Sequence, residues 1–192
     1  MKLDIENIRK KIIDLKNIDD NLLIKKEGLT PAAILIPIFE KNDKSHLLFT
    51  QRSNKVSHHK GQISFPGGKF EAQDIDLEMT ALRETNEEIG ISHHDVQVIG
   101  KINNMVTNTN FLVTPYVGII PYPYQFIIST DEIDELIEVP VEHLININNF
   151  EKKQQQYDRK IHEIYYYYYQ KYTIWGVTGK ILFDFLNLVK HV

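Results

Sequence analysis

Arg83-Glu84-Thr85-Asn86-Glu87-Glu88-Ile89-Gly90-Ile91, read with Pro66-Gly67-Gly68 upstream, decides the reading of the chain. On a helix over residues 75 to 89, at about 100° per residue, Glu87 falls about 60° to one side of Glu84 and Glu88 about 40° to the other. Ile75, Met79, Leu82 and Ile89 gather on the opposite side. The pattern predicts one face turned to the core and another that concentrates negative charge. Thr80 on the acidic face is small enough to admit a ligand or a loop. Like charges packed this closely cost free energy on a bare helix. A hard divalent cation removes that cost, because Mg²⁺ prefers carboxylate oxygens and keeps waters for a phosphate to displace. Taken alone, Glu at i, i+3 and i+4 is usually a solvated face. The glycines ahead of the helix tip the balance, since they let backbone come close to a ligand or to the helix. Arg83 is placed to orient Glu87 one turn on, and Gly90 stops the helix.

Outward from this helix, Ala32 to Phe39 reads as a buried strand, Lys41 to Lys44 as a turn and Leu47 to Gln51 as a second strand. Ile63-Ser64-Phe65, Val96 to Lys101, Thr114 to Ile120 and Ile137 to Val139 are further strands, and Ile161 to Tyr172 is one strand or a pair. Residues 2 to 17 form an amphipathic helix through Leu3, Ile8, Ile12 and Leu15. Gly179 to Lys190 closes the chain as a helix with Ile181, Leu182, Phe185, Leu188 and Val189 on one side. The fold class is α+β, an α/β/α sandwich with a mixed sheet and the acidic helix packed on it. Residues 1–29 are an N-terminal helix and lead-in to a single domain over 30–192.

Composition narrows the function. The 192 residues are 42% hydrophobic and 25% charged, which is ordinary globular composition. Twenty-two Lys and Arg against 26 Asp and Glu give a net charge of −4, with no basic field to gather nucleic acid or anionic membrane. Zero cysteines remove thiolate zinc sites and cysteine nucleophiles. Charges interrupt the N-terminus every few residues, and no apolar run approaches membrane-spanning length. The expectation is a soluble cytoplasmic protein.

Gly68 followed by Arg83 to Ile91 resembles the Nudix box: glycine, five residues, Glu, seven residues, then Arg-Glu-apolar-any-Glu-Glu-any-Gly-apolar. Asp74 stands where the pattern has its first Glu, Thr85 replaces the apolar position, and the stretch from Gly68 to Arg83 is one residue longer. Leu47-Leu48-Phe49-Thr50-Gln51-Arg52-Ser53 and Gly61-Gln62-Ile63-Ser64-Phe65-Pro66-Gly67-Gly68 resemble the extra motif of the coenzyme A diphosphatase subfamily, which shares the longer box. That motif has an arginine where this chain has Ser57. Val113 to Ile120, Asp131 to Ile133, Glu138 to Pro140 and Ile174 to Thr178 extend the likeness.

The resemblance implies metal-dependent cleavage of coenzyme A, a small-molecule substrate, into 3′,5′-ADP and 4′-phosphopantetheine with Mg²⁺ or Mn²⁺. It implies Glu84, Glu87 and Glu88, with the Gly68 carbonyl, as metal ligands, and a base drawn from that trio or supplied by Glu132 or Glu135 outside the box. Arg83 orients carboxylates. Arg52, His58, His59, Lys60 and the Gly67 backbone are candidates for substrate phosphates, weighed against ordinary surface roles. ADP-ribose, dinucleotides or nucleotides are the alternative substrates. A non-catalytic ligand sensor is the alternative class, against which the intact acidic trio speaks. The run Tyr165 to Tyr169 is read as sheet packing with alternate rings on opposite faces; adenine stacking or a homodimer contact is the alternative. Trp175 is expected in the core.

Overall fold

The computed structural model describes residues 4–13, 28–55, 59–157 and 160–190. The helices among these residues are α1 (Ile5–Ile13), α2 (Leu77–Ile89), α3 (Val141–Ile145) and α4 (Gly176–Lys190). The strands are β1 (Thr30–Lys41), β2 (Lys44–Arg52), β3 (Ile63–Ser64), β4 (Gly67–Lys69), β5 (Gln97–Lys101), β6 (Met105–Val106), β7 (Phe111–Ile119), β8 (Ile133–Pro140), β9 (Phe150–Tyr157), β10 (Lys160–Tyr169) and β11 (Tyr172–Ile174).

β1 explains the architecture. Ala33, Leu35 and Phe39 face one side and Ala32, Ile36 and Ile38 the other, all buried. A strand covered on both faces reads as one apolar run rather than an alternation. It turns into β2 through Asn42 and Asp43, at φ 52° and 58°, the left-handed pair that suits a two-residue hairpin. β7 runs parallel to β1, from Thr30 opposite Phe111 to Ile38 opposite Ile119. The main sheet runs β3-β2-β1-β7-β5, with β4 on β1, β6 on β7 and β8 on β2. Because β1 pairs antiparallel with β2 and parallel with β7, the sheet is mixed, as expected of this α+β sandwich.

α2 covers one face, over Ala33, Leu35, Leu112 and Tyr116. The other face meets α1, α4 and a small sheet ordered β11-β10-β9. Ile8 and Ile12 of α1 share one core with Ile181, Leu182 and Phe185 of α4. Of the helix expected over 2 to 17, residues 2, 3 and 14 to 17 lie outside the described residues.

The structure corrects several expectations. Asp76 caps α2 rather than belonging to it, accepting from the Met79 N–H at 2.8 Å. Ile75 precedes the helix and is 83% exposed instead of facing the core. The buried side of α2 carries Leu77, Thr80, Ala81, Leu82, Thr85, Glu88 and Ile89, so it overlaps the acidic side instead of opposing it. The cause is size: Thr80, Ala81 and Thr85 are small enough for the helix to settle onto the sheet, and that brings Glu88 inside. β9 has no counterpart in the sequence reading. Trp175 is 43% exposed and stacks on Tyr166, at 6.2 Å between ring centroids and 9° between planes. The tyrosine run does alternate. Tyr165 and Tyr167 are buried, whereas the Tyr168 hydroxyl points out and donates to Glu151 at 2.8 Å.

Candidate active site

The site begins with two glycines of different purpose. β4 lies against Ala32 to Ile34 of β1. A Cβ on Gly67 would sit 2.4 Å from the Ala33 carbonyl oxygen, so this glycine lets two strands close. A Cβ on Gly68 would sit 2.4 Å from the carboxyl carbon of Glu84, so this one lets the helix lay a carboxylate on bare backbone.

Arg83 fixes that carboxylate. Its Nε donates to Asp74 Oδ1 at 2.8 Å, and its Nη2 donates to Asp74 Oδ2 at 3.1 Å and to the Lys69 carbonyl at 3.0 Å. Its Nη1 reaches Glu87 at 2.9 Å and Glu84 at 3.0 Å. Every N–H of the guanidinium is thereby used, which suits an orienting group and leaves none for a ligand. Asp74 is nearly buried and also accepts from the Glu71 N–H and the Thr80 hydroxyl, each at 2.9 Å. Burial pushes its carboxyl up, but Arg83 and these hydrogen bonds outweigh burial and hold it below the usual range. Thr80 therefore serves Asp74 rather than leaving room for a ligand. The lock on Arg83 through Asp74 was visible in the sequence only as a departure from the box.

Glu88 is the anomaly. Its side chain is 3% exposed, and its Oε2 has no hydrogen-bond partner among the described residues. Burial pushes its carboxyl up to about 8; Arg52 opposes this, and the charges of Glu84 and Glu132 add to it. Arg52 Nη1 stands 3.8 Å from Glu88 Oε1. Arg52 is aimed there by an irregularity in the sheet: the pairing of β2 with β8 runs from Gln51–Glu135 to Arg52–Ile133, skipping Asp134.

Glu132 and Glu135 part company. Glu132 is exposed, yet its charge is felt at both Glu84 and Glu88. Its loop is tied to the site by a run of main-chain bonds, and Lys55 adds side-chain bonds to Thr130 and Asp131. Ser129 N donates to Glu88 O, Glu132 N to Ser129 O, and Ser53 N to Glu132 O, at 2.9, 2.9 and 2.7 Å. No signal in the sequence marks Ser129 for this. Glu135 instead pairs with Lys171 at 3.4 Å and hydrogen-bonds Tyr172, on the side of the small sheet. His59 and Lys60 are exposed on the connection between β2 and β3, where His59 bonds Gln62 at 2.9 Å. His58, like Ser57, lies outside the described residues.

These residues suit a hard divalent cation. The donors are carboxylate oxygens, one of them buried and unpartnered, beside a backbone that glycine leaves open. Among the described residues no three acidic or histidine side chains converge on one point. Arg83 contacts both Glu84 and Glu87, but Glu84 is the one that lies on the Gly68 backbone and whose charge acts on Glu88, so Glu84 and Glu88 are the candidate pair for an ion. Mg²⁺ asks for no more than one or two carboxylates, with water and substrate phosphate completing its shell.

The sequence profile of the NUDIX domain family matches residues 28–162. A Photorhabdus laumondii protein, named an uncharacterized Nudix hydrolase NudL, is 35% identical over 159 residues, covering 83% of this chain and 84% of that one. A Citrobacter koseri protein of the same name is 35% identical over 151 residues, covering 79% and 78%. Among solved structures, a Nudix hydrolase from M. smegmatis, RenU, superimposes with a TM-score of 0.52 at 18% identity, over 62% of this chain and 75% of that one. A C. elegans Ap4A hydrolase in a binary complex gives 0.50 at 18% identity, over 59% and 82%. The chain belongs to the NUDIX domain family and is a Nudix diphosphate hydrolase. No helix among the described residues is long and apolar enough to cross a membrane.

Proposed function

We propose that the protein is a single-domain coenzyme A diphosphatase, using Mg²⁺ or Mn²⁺ to release 3′,5′-ADP and 4′-phosphopantetheine. One observation supports the substrate reading: the two segments that resemble the coenzyme A subfamily form one wall of the site. Thr50 pairs with Ser64 and Gln51 with Ile63, while Arg52 N donates to Gln62 O and Gly61 N to Arg52 O. That wall delivers Arg52 to Glu88 and runs straight into the glycine turn.

A bound cation would neutralise charge on the phosphoryl oxygens and at the leaving group. Glu84 and Glu88 would hold it, with Glu87 and the Gly68 carbonyl as candidate further ligands. Arg83 keeps Glu84 and Glu87 in place. Arg52 and the Gly67 backbone meet the diphosphate; His59 and Lys60 lie on the loop suited to the 3′-phosphate, and His58 is a candidate by its sequence position alone. Glu132 is the base assigned to take the proton from the attacking water, since main-chain bonds through Ser129 tie it to Glu88 whereas Glu135 is engaged with Lys171. Glu132→Gln is expected to lower kcat by roughly 10²-fold with metal affinity nearly unchanged, and Glu135→Gln to keep near-full activity. Steady-state rates with a Mg²⁺ titration of each variant separate the two; full activity in both returns the base to the trio Glu84, Glu87 and Glu88.

The substrate is tested by comparing coenzyme A with dephospho-coenzyme A and ADP-ribose at equal concentration. Coenzyme A is expected to have the highest kcat/KM, by about tenfold or more over dephospho-coenzyme A if one charge-assisted contact reads the 3′-phosphate. A higher kcat/KM for ADP-ribose would overturn the substrate reading and leave the diphosphate hydrolase intact.

A further inference from the structure

Arg52 and Glu88 face one another without closing. Their 3.8 Å separation is longer than a hydrogen bond. Arg52 Nε and Glu88 Oε2 are both buried with no hydrogen-bond partner among the described residues. A buried ion pair offsets its desolvation only with close geometry and satisfied polar atoms, and this pair has neither. It is poorly made as a structural bridge. Its main chain is nonetheless held firmly. Arg52 N and O are bonded to Gln62 and Gly61 on one edge, and β8 flanks the other with its skipped residue. What remains adjustable is the Arg52 side chain, the more exposed partner at 29% against 3%.

We propose that Arg52 is an exchangeable counter-ion: it supplies the positive charge beside Glu88 until a divalent cation takes that place, and then turns its guanidinium to the substrate's diphosphate. This rests on the reading that the cation binds at Glu84 and Glu88. The two positions suit the guanidinium unequally. Beside Glu88 it makes no short hydrogen bond, whereas its planar fork matches phosphate oxygens two at a time. A cation at Glu88 would repel Arg52 and a diphosphate would draw it, so each ligand prepares the site for the other. By linkage, cation and substrate must then bind with positive coupling.

The test is Mg²⁺ binding by calorimetry without substrate, on wild type, Arg52→Gln and Arg52→Lys. Affinities are compared at the high-pH plateau, where protons no longer compete. Removing the resident charge is expected to tighten Mg²⁺ by about fivefold or more in Arg52→Gln, with Arg52→Lys within about twofold of wild type. In the wild-type protein, the arginine Nε resonance assigned to Arg52 is expected to shift as Mg²⁺ saturates the site. Equal or weaker binding by Arg52→Gln overturns the exchange and leaves the cation reading standing. No Mg²⁺ binding by any of the three overturns both. If Arg52→Gln does not fold, the wild-type resonance decides, and its failure to move under saturating Mg²⁺ overturns the exchange.

Discussion

Glu88→Gln is expected to lose at least ~10² in kcat and, in the presence of a chelator, to melt above wild type at pH 8.5. The two effects share one cause. Burial, with the neighbouring charges of Glu84 and Glu132, pushes the Glu88 carboxyl up to about 8 despite Arg52. In an unfolded chain a glutamate titrates near ~4.3. Between those values the folded protein binds a proton that the unfolded chain has released, so stability declines as pH rises through the window and the full cost is present above it. Glutamine stays neutral and avoids the cost. The variant should match wild type near pH 4.5 and exceed it by several degrees at pH 8.5, since each kcal/mol moves Tm by roughly 2–4 °C in a chain of this size. Near-wild-type turnover would remove Glu88 from the mechanism. A lower Tm at pH 8.5 would mean that the attraction of Arg52 exceeds the cost of burial.

The second large effect separates the adjacent glycines. Gly68→Ala is expected to fold and to lose about 10²-fold in kcat, because the new methyl takes the space of the Glu84 carboxylate, the free end of a flexible side chain. Gly67→Ala meets the Ala33 carbonyl and Ile34 Cα at 2.4 and 2.5 Å, at a φ of 149° that side chains avoid. Neither neighbour can step aside without parting β1 from β4, so that variant is expected to fail in expression or melt far below wild type. Thermal melting beside steady-state kinetics distinguishes them. A fully active Gly68→Ala would show that Glu84 has room elsewhere.

Much of this was legible in the residues. The box helix, the β1–β2 hairpin and the acidic trio all follow from pattern and spacing. The orientation of α2 did not. A helical wheel assigns Glu to water and Ile75 and Met79 to the core, and that assumption fails where small residues let a helix settle close to a sheet. Thr80, Ala81 and Thr85 are the signal: their small size reads as room for a ligand or loop at Thr80, whereas in the fold it is room for the sheet. β9 was hidden for the opposite reason. Glu151 to Gln156 are exposed throughout, so no alternation of apolar and polar residues marks the strand. Only pairing with β10, from Phe150 opposite Tyr167 to Tyr157 opposite Lys160, makes it one. Trp175, expected in the core, is instead 43% exposed and rests on the ring of Tyr166. The division between Glu132 and Glu135 was beyond the sequence, because it depends on Lys171 and Tyr172 arriving from another sheet.

The main-chain relay from Glu88 through Ser129 and Glu132 to Ser53 sets the terms on which this region can evolve. It uses amides and carbonyls alone, so it asks nothing of the side chain at Ser129. It asks a great deal of length. One residue inserted between Ser129 and Glu132 would displace the chain by about 3.4 Å, more than a hydrogen bond spans. The relay leaves the side chain at Ser129 free to change, and the loop cannot gain or lose a residue without uncoupling Glu132 from the helix that carries Glu88.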